Sequence, residues 1–145
     1  MKGLIQRVSE ASVTIGTETV GQIDRGILLL LGFEPQDGDE QSEKMLHKLL
    51  NYRIFPDAEG RMNRSVSDID GGILVVSQFT LAADTRKGLR PGFSTAASPQ
   101  AAESLYTAFL ERLTQRHARV ASGRFGADMQ VALINDGPVT FLLEV

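Results

Sequence analysis

A chain of 145 residues with 42% hydrophobic and 23% charged residues fits one compact, well-cored domain and not a disordered or low-complexity segment. With no cysteine, disulfides, thiolate catalysis and thiolate metal sites are excluded, and the longest apolar run, around residues 27–33, is far too short to span a bilayer. A net charge of −3 argues against a long duplex-binding surface but allows a small basic patch that reads one nucleic-acid end; together with a start that lacks a signal-peptide pattern, the expectation is a cytoplasmic protein with one domain over residues 1–145.

Leu4–Ser9 and Ala11–Ile15 are rich in Val, Ile and Thr and predict two early strands, separated by the polar Ser9-Glu10 pair. Gly16 and Gly21 bracket a short third strand. Gly26 then opens Ile-Leu-Leu-Leu-Leu-Gly-Phe, a continuous apolar run that predicts a strand covered on both faces. From Glu40 to Tyr52 the apolar residues Met45, Leu46, Leu49 and Leu50 form the stripe of an amphipathic helix, with Asp37 or Asp39 as its expected cap. Gly71-Gly72 introduces a second buried strand, Ile-Leu-Val-Val-Ser-Gln-Phe-Thr-Leu.

Ala82–Ala97 is a long irregular stretch, of the kind that in compact domains is commonly functional. Ser98-Pro99 supplies a cap and a first-turn proline for a helix running to about His117, with Leu105, Tyr106, Phe109, Leu110 and Leu113 as its buried stripe. Residues 118–126 read as a polar connection. Asp128–Ile134 and Val139–Val145 close the chain as two strands around Asn-Asp-Gly-Pro. The order β-β-β-β-α-β-α-β-β predicts an α+β fold: a single domain with a curved antiparallel or mixed sheet, or barrel-like core, and two main helices packed outside it.

The chain is poor in conventional catalytic groups. His47 and His117 read as ordinary surface histidines, no His or carboxylate pair has metal-ligand spacing, and the Walker and Rossmann glycine patterns are absent. An enzyme built from this inventory would have to work with hydroxyls, amides, backbone N–H groups or the substrate itself. Ser77-Gln78-Phe79-Thr80 is the leading candidate, because it ends a buried strand and enters the long loop. The bland alternative is a strand end with a satisfied hydroxyl. Strand alternation would place Gln78 and Thr80 on one face and Ser77 and Phe79 on the other. Arg86, Lys87 and Arg90 fall within five positions on the loop, and are either solvated or a clamp for a short nucleic-acid end. Arg7 is a lone charge in a strand that should be half buried, so it needs a specific partner. Gly137-Pro138 reads first as a turn, although proline at a strand start interrupts the ladder.

Several of these segments resemble those of the D-aminoacyl-tRNA deacylases. The segments are SQFTLAADTRKGLRPGF at 77–93, GRFGADMQV at 123–131 and NDGPVTFLLEV at 135–145, with LIQRV at 4–8, ASVT at 11–14, NYRIFPDAEGRMN at 51–63 and ASP at 97–99 in support. The resemblance covers essentially the whole chain. It implies a homodimeric hydrolase that uses neither metal nor organic cofactor. Its substrate would be the ester joining a D-amino acid, or glycine, to the 3′-terminal adenosine of tRNA. It further implies a cis Gly137–Pro138 bond that reaches from one subunit into the other's pocket and excludes L-amino acids. The pocket wall would be Ser77, Gln78, Phe79 and Thr80, with Arg7 steadying the gate. On this substrate, the basic run Arg86, Lys87 and Arg90 becomes the candidate contact to the acceptor end of tRNA. Gly92 departs from the pattern, standing where serine is expected. Two mechanisms remain open at this point: a Thr80 nucleophile, or water activated with help from the adenosine 2′-OH. A non-enzymatic β-rich interaction module and a nucleotide-binding transferase are the competing functional classes.

Overall fold

The computed structural model describes residues 1–145. In chain order the elements are β1 (Lys2–Ile15), β2 (Glu18–Ile23), β3 (Gly26–Gly32), α1 (Asp39–Asn51), β4 (Phe55–Pro56), β5 (Met62–Arg64), β6 (Gly72–Ser77), α2 (Pro99–Arg116), β7 (Val120–Ser122) and β8 (Gln130–Glu144). A single turn of 3₁₀ helix, Phe79–Ala82, follows β6. The sheet order is β2-β1-β3-β6-β7, with β8 added on β1. β1 is antiparallel to β2, β3 and β8, whereas β3–β6 and β6–β7 are parallel.

The predicted pair of early strands is one continuous strand. Its first part pairs with β3 through residues 2–8 and its last part with β2 through residues 11–15, while β8 follows it along most of its length. The exposed Ser9-Glu10 pair marks where β1 changes neighbours, a bend and not a break. The predicted closing hairpin is likewise one strand. Both halves of β8 pair with β1, and the register slips between Gln6 and Val8, opposite Gly137-Pro138. The dipeptide is therefore carried in a bulge, the device by which a strand re-aims part of its backbone. Two features have no counterpart in the sequence reading: the small β4–β5 ladder, and β7, which adds to β6 from a segment read as polar connection.

The strand path curls until its outer members nearly meet. A Cβ on Gly21 of β2 would sit 2.8 Å from the Ser122 carbonyl oxygen of β7, so glycine permits this close approach. Each face of the sheet has its own core. Val8, Val13, Leu28, Leu74 and Val76 pack inside the barrel. Ile27, Leu29, Leu31, Ile73 and Val75 point outward and are covered by α1 and α2. Period-two alternation along β3 and β6 serves both cores, which is why these strands read as unbroken apolar runs.

α1 buries Met45, Leu46 and Leu49 as predicted, but Gly38 is its cap. Asp37 is used elsewhere: its Oδ2 accepts from the Glu34 N–H at 2.7 Å. α2 starts as predicted, with the Ser98 hydroxyl accepting from the Ala101 N–H at 3.4 Å and Pro99 in the first turn. His117 ends this helix and is not a surface histidine. It is buried, and its Nε2 donates to the Gly71 carbonyl at 2.7 Å, tying the end of α2 to the start of β6. No helix is long and apolar enough to cross a membrane.

Candidate active site

Ser77 closes β6, paired with Leu31 of β3. The Gln78 N–H still reaches the Leu31 carbonyl at 2.8 Å, but Gln78 then leaves the extended conformation and the chain winds into the 3₁₀ turn. The sharp turn replaces strand alternation, so Ser77, Gln78 and Phe79 all line one cleft. Gln78 and Thr80 do meet, through the Gln78 Nε2 donating to the Thr80 Oγ1 at 2.5 Å. Thr80 itself is exposed.

The cleft encloses about 450 Å³, within the range of small-molecule sites. Its other wall comes from the chain that leaves β7, notably Phe125 and Met129, with Val131 of β8 beside them and Ala102 of α2 below. Both walls thus grow from the carboxyl ends of parallel strands, where open α/β sheets place their ligands. A recess of about 410 Å³ lies at the opposite, amino ends of these strands, beside Arg25, Gly72 and Arg119, and contains none of the residues singled out from the sequence.

Tyr106 of α2 is buried beneath the cleft, with its hydroxyl 3.0 Å from the Val75 carbonyl and 3.2 Å from that of Gly123. One residue thereby links the strand that carries Ser77 to the loop that carries Phe125. Its ring also packs against Phe125, centroid to centroid 5.9 Å. Burial pushes the phenol pKa well above its usual value. Sequence reading put Tyr106 in the core stripe but offered no signal for this link, since both of its partners are distant backbone carbonyls.

Neither histidine stands at the cleft. His117 is committed to Gly71, and His47, on α1, lies beside Asn51. The amide that touches Thr80 donates to its oxygen, the opposite of what a general base does. The N–H groups of Phe79 and Thr80 lead the 3₁₀ turn, whose first backbone bond runs from the Leu81 N–H to the Gln78 carbonyl at 3.2 Å. Leading N–H groups of a helical turn have no partner within it.

Gly137 and Pro138 are exposed on β8, and the bond between them is cis. Gly137 has φ +155°, a conformation that favours glycine. Asn135 spans the bulge: its Oδ1 accepts from the Val139 N–H at 2.7 Å and its Nδ2 donates to Thr140 Oγ1 at 2.8 Å. In the sequence Asn135 reads only as a turn residue. Arg7 has the specific partners its position demanded. Its Nε donates to the Asp136 carbonyl at 2.8 Å and its Nη1 to the Ile54 carbonyl at 2.6 Å, with the side chain 12% exposed.

The structure does not bring Gly137-Pro138 to the cleft of its own chain. Ser77 is level with Leu31, which pairs with Gly3, whereas the bulge faces Arg7. Three strand spacings and about four residues along β1 separate them, roughly 20 Å measured along the curved sheet. The loop cations divide as well. Arg86 is held by Asp84, with Nε–Oδ1 2.9 Å and Nη2–Oδ2 2.8 Å, and hydrogen bonds from this guanidinium keep the Asp84 carboxyl far below the usual carboxylate range. Lys87 and Arg90 stand exposed.

The D-Tyr-tRNA(Tyr) deacylase family model matches residues 4–144. The chain is 62% identical to a D-aminoacyl-tRNA deacylase of Pseudomonas paraeruginosa over 99% of each chain. It is 60% identical to the Pseudomonas putida protein of the same name over 100% of each. Among solved structures, a c-Myc DNA unwinding element binding protein superposes with TM-score 0.96 at 44% identity, covering 100% of this chain and 99% of the other. A protein described as a probable eukaryotic D-amino acid tRNA deacylase shares the fold, at TM-score 0.87 and 17% identity, over 99% and 98% of the two chains. With a family match across nearly its whole length and relatives of such high identity, the chain belongs to the D-Tyr-tRNA(Tyr) deacylase family.

Proposed function

We propose that this chain hydrolyses the ester between a D-amino acid and the 3′-terminal adenosine of tRNA, and removes glycine from non-cognate tRNA in the same way. It acts as a homodimer in which Gly137 and Pro138 of each copy gate the cleft of the other. The observation that supports this best is the separation just described: a braced, exposed Gly-Pro bulge and an exposed cleft that cannot meet within one chain. A second copy, with its bulge turned into the first copy's cleft, resolves both.

In this reading the terminal adenosine lies between the Phe79 and Phe125 sides of the cleft, and the ester carbonyl sits over the 3₁₀ turn. Carbonyl oxygens of Gly137 and Pro138 accept from the substrate's α-ammonium. They leave room for hydrogen, but not a side chain, on the face where an L-amino acid would project one. Glycine has no such side chain and passes. Selection therefore works by rejection. For the chemical step, water attacks the carbonyl carbon as the adenosine 2′-OH assists its deprotonation. The bond from that carbon to the 3′-oxygen breaks, and the 3′-oxygen takes up the proton. The leading N–H groups at Phe79 and Thr80 face the developing oxyanion, and a donor of this kind is worth roughly 10²–10³ in kcat. Gln78 holds Thr80 with a donated hydrogen bond, which favours this route over a Thr80 nucleophile.

Assaying matched D- and L-aminoacyl-tRNA tests the reading. Rapid hydrolysis of the D-form alone is expected. Equal hydrolysis of both enantiomers would remove the gate, and hydrolysis of neither would return the chain to the interaction-module alternative.

A further inference from the structure

Phe93 packs against Phe79 in an aromatic pair, and the mechanism above, which uses Phe79 as a side of the cleft, gives Phe93 no role. Their ring centroids are 5.1 Å apart with planes inclined at 53°, and both rings face water, at 59% and 44% exposure. Together the two rings offer a flat apolar face at the rim of the cleft, a surface suited to stacking. Phe93 is also held in place. The backbones of Asp84 and Gly92 exchange two hydrogen bonds, 2.8 and 3.0 Å, and the Thr95 hydroxyl donates to the Ala82 carbonyl at 2.5 Å. These bonds fix the loop on both sides of Phe93 and set its ring beside Phe79 before any ligand arrives.

Two further observations identify what covers the pair. First, the surface is continuous with the candidate cleft, because Phe79 lines the cleft and touches Phe93. Second, the same loop carries Lys87 and Arg90, both exposed, together with the fully exposed Leu89. Flat aromatic faces flanked by cations are how proteins hold single-stranded nucleic acid: bases stack on the rings and the backbone follows the charge. Resting on the deacylase reading, we propose that Phe93, with Phe79, is a stacking platform for the cytosine that precedes the terminal adenosine of tRNA, and that Lys87 and Arg90 neutralise the phosphate between these two nucleotides. The enzyme thus reads an RNA end of at least two nucleotides and not the aminoacyl-adenosine alone.

The test compares three substrates carrying the same D-amino acid: the ester of adenosine, the ester of the dinucleotide cytidylyl-adenosine, and the full tRNA. One stacked base should make kcat/KM for the dinucleotide ester about ten- to a hundredfold higher than for the adenosine ester, through KM. Phe93→Ala should abolish most of that preference and Phe93→Tyr, which keeps a ring face, should retain it. Replacing the cytosine by an abasic residue should copy Phe93→Ala. The proposal is overturned if wild type hydrolyses both small esters with equal efficiency, if Phe93→Ala lowers both by the same factor, as loss of loop packing would, or if the variant keeps the preference. Should wild type hydrolyse none of the three, the deacylase reading itself fails, an outcome distinct from a lost preference among active substrates.

Discussion

Replacing Arg7 by methionine tests whether the Gly-Pro bulge is positioned from the neighbouring strand, β1. The substitution keeps an unbranched apolar stem and removes two hydrogen bonds from a charged donor, one to the Asp136 carbonyl and one to the Ile54 carbonyl. Such bonds contribute about 1.5–3 kcal/mol each when neither end can turn to water. The Asp136 carbonyl lies in an exposed contact and water can replace its donor, so its share falls to about 1 kcal/mol or less. The Ile54 contact is half buried and keeps the larger share. The nearby Asp136 carboxylate, 3.3 Å from Nε and 48% exposed, adds little because an exposed ion pair is worth about 0–1 kcal/mol. The sum is about 2–4 kcal/mol, which for a chain of this size corresponds to a fall in Tm of roughly 6–13 °C. Below the new transition the variant is folded, and the functional effect can be read there. With Asp136 untethered, the neighbouring Gly137 carbonyl loses its fixed aim. The ratio of D- to L-aminoacyl-tRNA hydrolysis should drop at least tenfold, mostly by gain of L-hydrolysis. Thermal denaturation and the two hydrolysis rates form the assay. An unchanged Tm would refute the hydrogen-bond reasoning. A lowered Tm with an unchanged D/L ratio would refute the link between Arg7 and the gate.

Three other perturbations follow from the site. Thr80→Ala should keep substantial turnover, while a substrate ending in 2′-deoxyadenosine should be cleaved far more slowly. A loss of more than about four decades in the variant, with a trapped acyl-enzyme in wild type, would instead establish nucleophilic catalysis. Tyr106→Phe should change the alkaline limb of stability. Because burial raises the phenol pKa in the folded state, its contribution is complete below the unfolded-state value of about 10 and is lost as pH rises above that value toward the folded one. Urea unfolding from pH 8 to 11.5 should show a steeper decline for wild type than for the variant, and parallel declines would contradict the assignment.

Local pattern reached a long way in this chain. The stripes of Met45, Leu46, Leu49 and of Tyr106, Phe109, Leu113 identified α1 and α2 with their buried faces, and Ser98-Pro99 located the start of α2. The unbroken apolar runs of β3 and β6 announced strands buried on both sides. Ser77–Thr80 stood out because it leaves one of those strands, and Arg7 because a charge in a half-buried strand needs a specific partner. All of these are properties of neighbouring residues, since helical and extended periodicities repeat within a few positions.

What depended on distant residues was decided only by the folded chain. β1 and β8 each read as two strands, because a polar pair and a Gly-Pro interrupt them. Continuity came from a partner that runs past both interruptions and absorbs the slip as a bulge. β7 carries too little pattern of its own to be seen, and exists because β6 offers it an edge. His117 looked solvent-facing until Gly71, 46 residues away, supplied an acceptor, and Arg86 looked free until Asp84 bound it. Tyr106 joins the cleft walls through carbonyls 31 and 17 residues distant. The sequence by itself determined the two helices and most of the extended segments, and it singled out the motifs proposed to hold the chemistry. Tertiary structure alone decided their juxtaposition, because strand pairing and side-chain-to-backbone contacts are set by the closure of the sheet, and closure is a property of the whole chain.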